Sequence, residues 1–519
     1  MTKKNAKILQ VSRIGSQVLF TILFFFLLLQ AGQSATKTFT YTDLFFYFDP
    51  LLLVLNFIAT GTVINLFLLS LIPLVLTLIF GRFFCGWVCP LGAINQFFSR
   101  IFKKASREKR LVHKKWLKVK YVILILIVAL AIMGTHIGGW LDPFSLLTRS
   151  TATVISPTVN YTVEHALKKG AGDEGIAAKS LKPLYSFSRK NILTKRQRVF
   201  GQSIFIGLIF FSIVGLNLYK RRFYCNYICP LGALYGLIGK FSLFNLKVKE
   251  KCKACNVCAD NCTYNGSPFQ DYLKSECMVC FNCPNDCPHE AIVVKFALPQ
   301  KEHRTVIDLG RRKAVGALAS GLFIGALPKI ASQSKVKEKF HGFVRPPGSV
   351  TEEEFLQRCV RCGECIEVCP TNIIQPALLE TGLEGIWTPV LKPRVGYCEY
   401  ECNKCTQVCP TNAIEKLTLK EKKKFKIGTS VVDRNRCYTY ADGYNCAVCE
   451  EHCPVPEKSI KFREVEVWDF KGKLKKVKQI YVVPDLCIGC GHCENVCPRS
   501  DAPAIFVSAE EEQREFSYF

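Results

Sequence analysis

No Cys-x-x-Cys-His pairing occurs anywhere in the 519 residues, so the usual signal for covalently attached haem is missing. Histidine is scarce, at eight residues, and only His136 falls inside an apolar run. A buried haem held by two histidines is therefore not expected, and His136 reads as a satisfied helix-end residue. Acidic residues are also few, 42 against 69 Lys and Arg, for a formal charge of +27. Such a balance raises nucleic-acid binding. Much of the positive charge flanks apolar runs, however, so membrane topology accounts for it and no nucleic-acid partner is expected. Nor does any set of side chains stand out for bond-making catalysis, and no catalytic residue is assigned.

What is abundant is apolar length and cysteine. The basic start, Met1 to Lys7, leads into an apolar run from Ile14 to Ala31. No convincing small-residue cleavage site follows, so this reads as a first membrane helix rather than a removed signal peptide. Further runs at Val63–Phe80, Val119–His136 and Gly201–Leu218 each approach the ~20 residues a bilayer needs. The piece Leu44–Ile58, interrupted by Asp49-Pro50, reads as an interfacial or re-entrant segment, a fifth apolar element. The expected fold is thus an α-helical membrane domain over residues 1–245, followed by α+β ferredoxin-like modules.

An internal repeat organises this half. Phe83-Phe84-Cys85-Gly86-Trp87-Val88-Cys89-Pro90-Leu91-Gly92-Ala93 recurs as Phe223-Tyr224-Cys225-Asn226-Tyr227-Ile228-Cys229-Pro230-Leu231-Gly232-Ala233. A matching Asp-Pro lies upstream of each copy, at Asp49-Pro50 and Asp142-Pro143. A parallel repeat puts both cysteine pairs on one face. Between Arg100 and Lys120 ten Lys or Arg accompany one acid, Glu108, which marks that face as cytoplasmic. Arg189, Lys190, Lys195, Arg196 and Arg198 lie on the opposite side against this rule, in a loop near the ~60-residue length where the rule weakens. Cysteines four apart share a helix face. Cys85, Cys89, Cys225 and Cys229 can thus converge as one four-thiolate site, act as two dithiols, or be inert thiols in a packing motif. Asp49 and Asp142 read as helix-turn residues, with proton acceptance as the functional alternative.

The other 24 of the 28 cysteines form six runs of four, leaving none over. Cys252, Cys255, Cys258 and Cys262 have the spacing C-x2-C-x2-C-x3-C, and Cys277, Cys280, Cys283 and Cys287 repeat it before Pro288. Three thiolates from one tight loop cap three irons of a cubane, and the fourth reaches the neighbouring cluster. Cys287 is accordingly grouped with Cys252, Cys255 and Cys258, and Cys262 with Cys277, Cys280 and Cys283. Zinc is the alternative metal. This module occupies residues 246–300.

Four more runs fill residues 345–519. Cys359, Cys362, Cys365 and Cys369 are regular, as are Cys487, Cys490, Cys493 and Cys497. Cys398, Cys402, Cys405 and Cys409 carry one extra residue in the first gap; Cys437, Cys446, Cys449 and Cys453 have a long first gap. Segments such as Asn412-Ala413-Ile414 and Ala502 to Ile505 follow the prolines, as expected for the return strand of a βαβ unit. Six [4Fe–4S] clusters, and no haem, are expected. Cores this small lean on their clusters for folding energy. So many thiolates imply assembly in a reducing cytoplasm, wherever the domain finally resides.

Between the modules, residues 308–331 contain Arg311-Arg312 followed by a run of Ala, Gly and large apolar residues. That is the make-up of a twin-arginine export signal placed in mid-chain. If it works, the two halves end on opposite sides of a membrane. The alternative is a membrane-flanking arginine pair or a weakly apolar core helix.

The paired F-x-C-x-x-x-C-P-L-G-A motifs, the spans and the trailing two-run module resemble the NapH family, membrane subunits of the quinol dehydrogenase feeding periplasmic nitrate reductase. Related membrane proteins of nitrous-oxide respiration and oxidase maturation share these motifs. The twin-arginine stretch with four runs behind it is similar to the exported NapG and MauM ferredoxins. The resemblance implies a multi-pass protein of the bacterial inner membrane with an extracytoplasmic C-terminal domain. It implies the lipid and quinone pool, and a reductase or cytochrome acceptor, as partners in anaerobic respiration. It also implies that outer runs share two clusters and inner runs two more. Cys497 would then join Cys359, Cys362 and Cys365, with Cys369 joining Cys487, Cys490 and Cys493. Likewise Cys453 would join Cys398, Cys402 and Cys405, and Cys409 the set Cys437, Cys446 and Cys449. The functional expectation is electron transfer from quinol to an extracytoplasmic reductase. A redox maturation factor is the alternative, and a redox sensor ranks below both.

Overall fold

Both Asp-Pro pairs start a helix. In the computed structural model, Asp49 caps the helix Pro50–Thr60 by accepting from Leu51 N at 2.8 Å and Leu52 N at 3.3 Å. Asp142 caps Pro143–Ser150 by accepting from Ser145 N at 2.8 Å. Proline at the first helical position costs no hydrogen bond there, and aspartate satisfies the exposed donors. The structure describes residues 3–33, 43–102, 116–172, 183, 185–186, 197–262, 272–298, 313–323, 343–468 and 474–516. They fall into two units: Met1–Leu29, Tyr41–Thr151 and Ile204–Leu327 make one, and Gln30–Thr40, Ala152–Ser203 and Pro328–Phe519 the other.

The first unit is helical with a small β appendage. Lys3–Gln33 forms one continuous helix, and among the described residues its portion up to Gln30 is the one helix long and apolar enough to cross a membrane. The other expected spans are shorter: Asn65–Phe80, Val119–Ile132 and Ser203–Leu218. Hydropathy alone overran the span expected over Val119–His136 because Gly134 takes a left-handed turn, φ 77°, before His136 is reached. The outer faces of these helices are apolar and uncovered, as at Leu71, Val75 and Leu78 in one helix and Ile204, Leu208 and Phe211 in another. The helix Lys313–Phe323 is also in this unit, and Gly321 meets Ala129 and Leu126 of Val119–Ile132. Arg311 and Arg312 lie outside the described residues.

The two-run module hangs on strands β1 (Phe244–Val248) and β2 (Ile292–Phe296), which pair antiparallel from Phe244↔Phe296 to Val248↔Ile292. The chain runs out along one cysteine loop and back along the other, so its flanking strands return antiparallel.

The second unit contains two such modules in succession. Its strands are β3 (Ile374–Pro376), β4 (Pro389–Leu391), β5 (Thr429–Val432), β6 (Ile460–Trp468), β7 (Leu474–Val482) and β8 (Ile505–Ser508). An antiparallel bridge joins Ser349, before the run beginning at Cys359, to Ile414, after the run ending at Cys409. The pair β5–β8 likewise encloses the last two runs, with Thr429 opposite Ser508. Within the modules, the hairpins β3–β4 and β6–β7 separate the two runs of each. The expected return strand after Cys497 is therefore present, but it is antiparallel and not part of a βαβ unit. Residues 198–200, which belong to this unit, pack on its first ferredoxin-type module. Arg198 and Glu367 form a buried ion pair at 2.9 Å, Ser156 Oγ donates to Glu367 at 3.2 Å, and Val199 O accepts from Asn372 at 2.8 Å. Phe200 enters the core beside Cys369 and Ile374.

Candidate metal centres

In the four regular runs the residues on either side of the second cysteine are left-handed: Ala254 and Asn256, Val279 and Phe281, Arg361 and Gly363, Gly489 and Gly491. The two runs with altered first gaps lack this pair of left-handed residues. Glycine adopts such angles freely, as at Gly489 and Gly491. A branched valine does not, so Val279 at φ 51° stores strain of about 1–3 kcal/mol. Strain of that kind concentrates where a loop must hold a ligand, and these turns bring three successive thiols to one side.

The thiols line recesses. One of about 360 Å³ is lined by Cys252, Cys255, Cys258 and Cys287. A second, of about 410 Å³, is lined by Cys262, Cys277, Cys280 and Cys283. Both groupings are those read from the spacing. A third, of about 340 Å³, corrects the nested pairing drawn from the resemblance: Cys369 lines it with Cys398, Cys402 and Cys405. Cys409 in turn interacts with Cys359, Cys362 and Cys365. Cys453 interacts with Cys490, beside Cys487, and Cys497 packs in the core with Cys437 and Cys449. Neighbouring runs pair because the antiparallel bridges close each module before the next begins.

The chemistry of these quartets fits a cluster. Burial pushes the Cys398 thiol up to about 11, Cys369 and Cys402 adding to the rise and Lys422 opposing it. Burial likewise lifts Cys449 to about 12, with Cys446 and Cys437 adding to it. Mutually repelling buried thiolates require a cationic partner to release their protons. The closing cysteines also accept backbone N–H groups: Ala291 on Cys287 at 3.4 Å, Ile414 on Cys409 at 3.4 Å, Ala504 on Cys497 at 3.3 Å. Such bonds help set cluster potentials.

The repeat brings its four cysteines together as well. Cys85 sits in the short helix Phe83–Trp87, and Cys89 is the cap of the next helix, Pro90–Ile101. The second copy matches, with Cys229 capping Pro230–Gly239 and accepting from Gly232 N at 3.3 Å. The pairs thus face one point through a break before proline and not along one continuous helix. Cys85, Cys89, Cys225 and Cys229 line one recess of about 320 Å³ with Arg82, Tyr224 and Met278. The arginines here escaped the sequence reading, although Arg82 and Arg222 each stand one residue before a repeat copy. Arg82 is fully buried. Its Nη1 donates to Glu276 at 2.8 Å, and Lys120 and Tyr121 bind the same carboxylate. Arg222 Nη2 donates to Gln96 at 2.7 Å. Asp49 and Asp142, both fully buried, contact each other through their carboxyls. His136 is buried just past Val119–Ile132.

These loops and quartets define a ferredoxin-type iron–sulfur protein. A family model described as a 4Fe-4S binding domain matches residues 62–108 and 200–249, and a second with the same description matches 356–375 and 480–500. The chain is 34% identical over 214 residues to the ferredoxin-type protein NapG of Escherichia coli, covering 41% of this chain and 88% of that protein. It is 32% identical over 205 residues to the methylamine utilization ferredoxin-type protein MauM of Methylorubrum extorquens, covering 39% and 87%. An uncharacterized protein of Methanocaldococcus jannaschii is 27% identical over 253 residues, covering 47% and 85%. No solved structure matches. The chain belongs to the NapG/MauM family of ferredoxin-type proteins, and its function is iron–sulfur electron transfer.

Proposed function

We propose that this protein is the membrane-bound electron-transfer component of a NapGH-like quinol dehydrogenase, passing electrons from the quinol pool to an extracytoplasmic reductase or cytochrome. The observation that carries this reading is the gathering of its cysteines into quartets spread over both units. Six quartets from Cys252 to Cys497 would each hold a [4Fe–4S] cluster, which accepts and releases single electrons when bound. The chain's own contribution is to fix the thiolates, exclude water and donate N–H groups to sulfur. Uncovered apolar faces on the shorter helices favour lipid around the first unit, because soluble monomers rarely expose such patches. The NapH-like repeat and a multi-pass bacterial inner membrane location belong to the same reading. Packing of residues 198–200 on the ferredoxin-type portion of the same unit supports a common side for residues 198–200 and the C-terminal domain.

Anaerobic membranes given a reduced quinol analogue test it. Bleaching of the visible iron–sulfur absorption is expected, and unchanged absorption would remove the quinol from the account. The paired cysteines of the repeat also favour a second reading, a redox maturation factor. Deletion would then lower the amount of a mature partner enzyme instead of slowing electron flow to it.

A further inference from the structure

We propose that the buried ammonium of Lys422 holds the quartet Cys369, Cys398, Cys402 and Cys405 at a higher reduction potential than the two quartets of the module that follows, so that an electron in the C-terminal unit settles there. This rests on the reading that the quartets hold [4Fe–4S] clusters, and deepens it by ranking one of them against two others.

The lysine sits in a stretch that reads as solvated, Lys420-Glu421-Lys422-Lys423-Lys424. It is nevertheless buried, at 2% exposure, while Lys420 and Lys424 stay exposed. The helix Leu419–Lys424 turns it inward and is fastened by a capping box. Thr418 Oγ1 accepts from Glu421 N at 3.3 Å, and Thr418 N donates to the Glu421 carboxylate at 2.7 Å. Lys422 Nζ then donates to Glu399 O, to Tyr400 O at 3.2 Å and to the Cys398 sulfur. An ammonium has three N–H donors and no acceptor, so these partners use it fully.

Glu399 and Tyr400 lie in the first gap of their run, the gap with one extra residue. Regular runs shape this loop with left-handed residues on either side of the second cysteine. Here neither is left-handed, and the ammonium gathers the carbonyls instead. The irregular spacing and the buried lysine are one feature.

Charge gives that feature its consequence. Among the described residues no carboxylate pairs with Lys422, and an ammonium buried without an anion is costly. Burial opposes ionisation of Cys398, Cys402 and Cys405, and Lys422 counters it at all three. An added electron makes a four-thiolate cluster more negative, so a fixed cation and an N–H bond to sulfur both favour the reduced form. Between Thr429 and Ser508 no described Lys or Arg is buried, so the quartets of the following module have no such charge inside. Arg361 is buried beside the other quartet of the first module and donates to Cys359 O at 3.1 Å, which is why the ranking is drawn against the following module.

The two modules meet at this quartet. Cys398 N donates to Cys490 O at 2.8 Å, so one hydrogen bond joins a cysteine of each. Tyr397 and His492 pack beside it with ring centroids 3.7 Å apart. A Cβ on Gly491 would lie 2.7 Å from Pro393 Cβ, so the two chains touch there. An electron thus has a covalent and hydrogen-bonded path across the seam, and the charge on Lys422 decides on which side it stays.

The test is a redox titration of the full chain, isolated anaerobically in detergent and followed by electron paramagnetic resonance, with a chemical reductant in place of quinol. Cys405→Ser, Cys490→Ser and Cys446→Ser identify the signal of each quartet. In wild type the signal altered by Cys405→Ser should appear at a higher potential than the signals altered by the other two. In Lys422→Gln it should fall by about 59 mV or more, a tenfold loss of electron occupancy, while Lys422→Arg keeps it in place. A wild-type signal at or below the other two would overturn the proposal, as would an unmoved potential in Lys422→Gln with its iron intact. Should Lys422→Gln shed about four irons, the wild-type order decides alone. Either failure with iron present leaves the cluster reading standing, whereas absence of iron throughout would sink both.

Discussion

Arg82 reaches out of the first repeat to Gly232 of the second, its Nη2 2.9 Å from where a Cβ would sit, and Arg222 returns to Gly92 of the first. The exchange cross-links the two copies around their four thiols. Each glycine is the third residue of a helix that begins at the motif proline, Pro90 or Pro230.

Replacing these glycines separates two kinds of obstruction. In Gly232→Ala the new methyl meets the tip of the Arg82 side chain, which can swing aside; in Gly92→Ala it meets the Cys85 carbonyl at 2.9 Å, which is backbone. Gly92→Ala should cost about 1–3 kcal/mol, and Gly232→Ala less, while moving Arg82 off the thiols. Thermal denaturation of the two variants checks the order, and equal losses would contradict it.

The pairing of neighbouring runs can be counted in iron. Cys369→Ser/Cys490→Ser touches two quartets if adjacent runs pair, and one if the arrangement is nested. Loss of about eight irons is expected, against about four for nesting.

Glu276 holds Arg82 and Lys120 in a fully buried triad just before Cys277. Glu276→Gln leaves two buried cations uncompensated, at a cost of about 3–5 kcal/mol. The expected outcome is early thermal loss of the two-run module's absorption, with the C-terminal quartets less affected.

In the C-terminal unit Glu352 binds Arg345 at 2.5 Å and Arg514 at 2.9 Å. Burial alone would raise its carboxyl, but the two guanidiniums outweigh it and hold it below the usual 4.5. A carboxyl held low in the fold stabilises above its unfolded value and loses that contribution as pH falls through the folded one. The stability gap between wild type and Glu352→Gln should therefore be widest near neutrality and close below pH 4.5. A gap that widened toward acid would contradict the sign.

Much of the site was legible in the spacing. The regular runs announce their loops, and the Cys262 and Cys287 exchange followed from them. The C-terminal pairing was not legible, because it depends on where antiparallel bridges such as Ser349–Ile414 close, and those few residues carry no local pattern. The span expected over Val119–His136 was overestimated because hydropathy does not register Gly134's left-handed turn. Arg82 and Arg222 were missed for another reason. The repeat was bounded by its aromatic and cysteine residues, and a positive charge beside an apolar span reads as a topology marker until it is found buried against thiols.

The most direct measurement is Mössbauer spectroscopy of the full chain grown on 57Fe and isolated without oxygen. Essentially all iron is expected in thiolate-ligated [4Fe–4S] clusters that a reduced quinol analogue converts toward their reduced form in membranes. Mononuclear iron, or zinc in place of iron at the cysteine runs, would contradict it.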